Sequence, residues 1–135
     1  MLADDDRTHP TACACKWHLS FDDAIPPSEL HSRTALLLSE VGGGLEKNAG
    51  RLIGHIKGLV DADEKGHLAF SVTSLQEGAR FKGEVVGEVT EAILTLNVIV
   101  YGIEKEVVER MLEAAFARHF HGRRFGDDRG EVHAQ

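Results

Sequence analysis

The segment Ala92–Ile103 (AILTLNVIVYGI) runs straight into Glu104–Phe120 (EKEVVERMLEAAFARHF), and the spacing of apolar residues changes from two to about 3.6 at Gly102. A chain with this change must place a buried strand immediately before an amphipathic helix. On the strand, Leu94, Leu96, Val98 and Val100 point one way, while Ile93, Thr95, Asn97, Ile99 and Tyr101 point the other. The first face is pure core and the second is mixed, so function has room only on the second.

The rest of the chain is read around that unit. Arg51–Asp61 carries a stripe compatible with a helix, but Gly50, Gly54 and Gly58 would each cost about 1 kcal/mol in a helix interior, which favours an extended reading. Ala62–Gly66 (ADEKG) has turn chemistry, and His67–Ser74 follows with Leu68, Phe70 and Val72 on one side, giving a hairpin. Phe81–Val89 alternates apolar residues and glycines against Lys82, Glu84 and Glu88, as expected of a charged edge strand. Upstream, Ser28 sits at an N-cap position, and Leu30, Thr34, Leu37, Leu38 and Val41 recur at helical spacing until Gly42, Gly43 and Gly44, where the helix is expected to end.

This order predicts an α+β two-layer sandwich: an antiparallel sheet of about four strands with an N-terminal and a C-terminal helix on one face. The alternative makes Thr34–Val41 a strand and Leu45–Leu59 a helix, giving a ferredoxin-like βαββα order. Residues 28–121 form the expected domain. Residues 1–27 read as a poorly ordered N-terminal arm, with Trp17, Leu19 and Phe21 as a short segment able to dock at an edge, and residues 122–135 read as a disordered C-terminal tail.

Composition narrows the function classes. The 135 residues are 42% hydrophobic and 27% charged, ordinary for a globular chain. A formal net charge of -7 argues against nucleic acid as partner, because phosphate binding needs clustered Lys and Arg. No apolar run approaches the ~20 residues of a membrane helix, and MLADDDR is not a secretory leader, so the expected location is the cytoplasm with no membrane partner.

Three kinds of site compete. Cys13, Cys15 and His18 form a CxCxxH group whose soft ligands suit zinc or copper, although a single intervening residue makes it awkward for both sulfurs to reach one tetrahedral ion. Asp61–Gly66 fails as a calcium loop, because Lys65 and Val72 stand where oxygen ligands are required. Gly42–Gly44 lacks the lysine and hydroxyl of a phosphate loop. No motif names a catalytic residue and none implies a cofactor.

The mixed sheet face is the sharpest lead. In the extended reading it gathers Ile53, His55, Lys57 and Leu59 with His67, Ala69, Ser71 and Thr73 and with Thr95, Asn97 and Tyr101, a surface too apolar to leave in water and too polar for an ordinary core. The favoured expectation is a small homodimeric binding or regulatory domain, with this face as its dimer contact or as the floor of a cleft for a small-molecule or protein partner. One alternative is a metal-binding accessory protein using the cysteine arm. Another is a small enzyme on the open face, with His55 as general base and Tyr101 or Lys57 as acid or anion partner.

Overall fold

Cys13, Cys15, Trp17, Leu19 and Phe21 are all buried and alternate with exposed or half-buried neighbours, and this period of two makes Pro10–Ile25 a strand, β1. The computed structural model describes residues 9–49, 54–74 and 76–125. After β1 come helix α1 (Pro27–Ala49), strand β2 (Gly54–Asp61), a 3-10 turn (Asp63–Lys65), strands β3 (Gly66–Val72), β4 (Ala79–Val85) and β5 (Val89–Tyr101), helix α2 (Lys105–His119) and the short strand β6 (Gly122–Arg124). The strands form one sheet in the order β4-β3-β2-β5-β1-β6, with every pairing antiparallel.

The α+β reading survives, but the expected sheet of about four strands is corrected to six. The two uncounted strands are β1, within residues 1–27, and β6, at the start of 122–135. β1 is no edge segment. It lies between β5 and β6 and pairs with β5 from Pro10↔Tyr101 to Ser20↔Glu91 before its register shifts ahead of Ile25↔Val89. The ladder is reinforced where Thr11 Oγ1 donates to the Ile103 carbonyl at 2.7 Å, across 92 positions of sequence.

The ferredoxin-like alternative is also corrected, because residues 34–41 are helical and Gly54–Leu59 is extended. Nor does α1 stop at the triple glycine. Pro27 at its first position has no N–H to leave unpaired, and the helix runs on to Ala49, with Gly44 packed against α2: a Cβ there would lie 2.8 Å from Met111 Cε. In β2, Gly58 leaves space for the Phe70 ring, whose Cζ would stand 2.5 Å from an added Cβ, so a neighbouring strand's side chain and not a crossing helix fills the gap.

Both helices lie on one side of the sheet. Leu30, Leu37, Leu38, Val41 and Leu45 of α1 and Val108, Leu112, Ala115 and Phe116 of α2 join the inward residues of β1, β2, β3 and β5 in one core. Thr34, fully buried within it, donates its hydroxyl to the Leu30 carbonyl at 2.8 Å and so leaves no polar atom unpaired. Arg118 and His119 in the last turn of α2 both bond Glu40 of α1, the imidazole at 2.8 Å, which ties the two helices at one end.

Candidate functional site

With both helices on one side, the other side of the sheet carries no element of secondary structure among the described residues. The register lines up its outward residues in rows that cross the strands. The middle row is Lys82, Ala69, Leu59, Thr95 and Lys16, from β4 to β1. On one side of it runs Arg80, Ser71, Lys57, Asn97 and Ala14, and on the other Glu84, His67, Asp61, Ile93, His18 and Arg123. Neighbouring rows are roughly 7 Å apart, two residues along a strand.

The residues singled out from sequence fall on this grid unevenly. Lys57 is the direct cross-strand partner of both Ser71 and Asn97, and Thr95 that of Leu59 and Lys16. His55 stands opposite Ile99 in the next row. Tyr101 pairs with Pro10, and at ~3.3 Å per residue it lies roughly 13 Å along β5 from Asn97, outside any cluster with Lys57. Thr73 is exposed just beyond the end of β3, and Ile53 lies outside the described residues.

The cysteine arm is divided by the pleat. Cys13 and Cys15 face the helices and are buried, whereas His18 emerges on the open side, where its Nε2 lies 2.7 Å from Glu91 Oε1. Burial pushes the Cys13 thiol up, and it pushes Cys15 up to about 11 against the opposing effect of Arg124, so both stay protonated and poorly nucleophilic at neutral pH. No group of three or more His, Cys, Asp or Glu among the described residues is placed to hold a metal ion.

Charge on the open face separates by row, except that Arg123 shares the third row with the carboxylates. Lys57, Arg80, Lys82 and Lys16 occupy two adjacent rows without a carboxylate among them. Asp61 and Glu84 fall in the third row, and beyond it a cleft of about 240 Å³ is lined by His18, Asp61, Asp63, Glu64, Lys65 and Glu91. Of the four cations, Arg80 pairs with Glu77 at 3.3 Å, while the three lysines make no ion pair with a described residue. An apolar strip of half-buried Leu59 and Ala69 lies in the middle row, with half-buried Ile93 one row on beside Asp61 and Ile99 two rows back beside His55.

Sequence reading missed the contribution of β1, which brings Ala12, Ala14, Lys16 and His18 to this face. The signal was present in the alternation from Cys13 to Phe21. No protein-family model, curated protein or solved structure matches this chain.

Proposed function

We propose that this chain is a homodimeric binding domain whose working surface is the open sheet face, packed sheet to sheet against a second copy. The observation that carries the reading is Leu59. It sits near the middle of a six-stranded sheet, flanked by Ala69 and Thr95, on the side that neither helix covers. A monomer would leave Leu59, Ile93 and Ile99 half wetted, and completing the burial of each such side chain adds a sizeable part of ~1.5–3 kcal/mol.

Area supports the same reading. Strands ~4.8 Å apart and rows ~7 Å apart give this face roughly 600–700 Å² of flat extent, close to the ~800 Å² per partner of a standard stable interface. Stacked sheets spaced ~10 Å apart leave room for the Leu, Ile and Thr side chains to interdigitate.

The test is the mass in solution by light scattering at high micromolar concentration, for the native chain and for Leu59→Glu. The native chain is expected at twice the monomer mass. Leu59→Glu, which places a carboxylate in the apolar strip of both copies at once, is expected to raise Kd on the order of 100-fold while keeping the native circular dichroism. A native chain that stays monomeric overturns the reading.

A further inference from the structure

We propose that the two copies meet about a two-fold axis that runs across the strands at Leu59, so that Lys57 of each copy faces Asp61 of the other and Arg80 faces Glu84. This deepens the dimer reading above and rests on it.

Lys57, Leu59 and Asp61 lie on one face at successive outward positions, with Leu59 midway between a cation and an anion. Lys57 and Asp61 are four residues apart, about 13 Å along a strand, too far to pair within one chain. A two-fold axis in the interface plane, perpendicular to the strands and passing through Leu59, reverses the order of rows in the second copy. Leu59 then meets Leu59, and each Lys57 comes over the second copy's Asp61.

The same operation carries β4 onto β4, where Arg80, Lys82 and Glu84 repeat the pattern: a cation and an anion at equal distances either side of the middle row. Two strands therefore place opposite charges symmetrically about one line. Symmetry makes each pair occur twice, giving four cross-subunit ion pairs around an apolar centre. Turning the second copy to run its rows in the same order instead would set like rows over one another, against like-charge repulsion. Lys82 and Lys16 sit in the middle row on β4 and β1, away from β2. There each lysine comes near its own symmetry mate, and its long stem lets the ammonium turn out to water.

His55, one row beyond Lys57, comes over the acidic cleft that contains Asp63 and Glu64. Asp61 Oδ1 also accepts the Asp63 backbone N–H at 3.0 Å, which holds the carboxylate at the end of β2.

The experiment is a charge swap read by sedimentation equilibrium. Lys57→Glu and Asp61→Lys, each alone, are expected to raise the dimer Kd tenfold or more, on the order of what one close charge pair contributes. The double variant K57E/D61K is expected to return Kd to within about threefold of native, a difference of well under 1.4 kcal/mol. Mixing the two single variants is expected to give heterodimer in preference to either homodimer, because both pairs are then complementary. Since Asp61→Lys also removes the turn bond to Asp63, R80E, E84R and R80E/E84R provide the same cycle on exposed β4 residues. A native dimer whose single variants are unaffected, or whose double variants stay as weak as the singles, overturns this register and leaves the dimer standing. A native chain that is monomeric removes both.

Discussion

Trp17 of β1 and Phe116 of α2 stack with ring centroids 4.6 Å apart and planes 9° from parallel, so one aromatic pair fastens the C-terminal helix to the strand next to the sheet's centre. Trp17 is the chain's single tryptophan and is 3% exposed. Phe116→Ala is expected to cost ~3–5 kcal/mol, the range for deleting a buried ring. It should also shift tryptophan emission to the red as water reaches the indole. Denaturant unfolding followed at both 222 nm and by fluorescence checks the two effects together.

Three glycines give a graded series. Gly43 lies inside α1 with nothing within 4 Å of an added Cβ, so Gly43→Ala is expected to stabilise by ~0.5–1 kcal/mol through helix propensity. At Gly44 the added methyl would meet the mobile end of Met111, and the two effects should nearly cancel. At Gly58 it would meet the Thr95 carbonyl oxygen at 2.1 Å and the Phe70 ring, so Gly58→Ala is expected to lose ~2 kcal/mol or more. Urea midpoints of the three variants should rank in that order.

The buried cysteines set a chemical clock on unfolding. With the Cys15 thiol pushed up to about 11 and both sulfurs out of water, Cys13 and Cys15 are expected to resist a thiol reagent at pH 7.5 in the native protein. Both should react at once in denaturant. Labelling that goes to completion in buffer alone, faster than the fold opens, would contradict the burial.

Glu40 is the titrating link between the helices. Its hydrogen bonds from Arg118 and then His119 hold its carboxyl below the ordinary 4.5. A depressed pKa contributes stability that is fully present above the unfolded value and is lost as pH falls from there through the folded one. Partial exposure keeps the effect small. Glu40→Gln is therefore expected to lower Tm slightly at pH 7 and to show a smaller Tm loss than the native chain when pH is taken below 4.5.

The parts of this architecture that are plain in the sequence are those where one period dominates. Leu94 to Val100 and then Val107 to Phe116 announce β5 and α2, and the glycines of β2 weigh against a helix there. β1 was obscured because Asp22, Asp23 and three prolines (Pro10, Pro26 and Pro27) surround an alternation that two cysteines make less recognisable as apolar. β6, at three residues, is too short to have a period. α1 runs past Gly42–Gly44 because contact with α2 outweighs propensity, and that contact is not local.

The face shared by His55, Lys57 and Asn97 follows from the pleat once β2 is extended. That Lys57 lies directly beside Asn97 and Ser71, while Tyr101 stands apart, depends on register, for which the hydrophobic pattern fixes which face is inward while turn geometry fixes which residues meet.

The tie between Thr11 and Ile103 has a meaning for biosynthesis. β1 leaves the ribosome ahead of its partner β5, which is made only after α1 and three other strands, so Cys13, Cys15, Trp17 and Leu19 wait without that cover until β5 follows. Pairings this remote make for slow folding. In the nascent chain the apolar side of β1 is thus open to chaperones until β5 has followed it out of the ribosome.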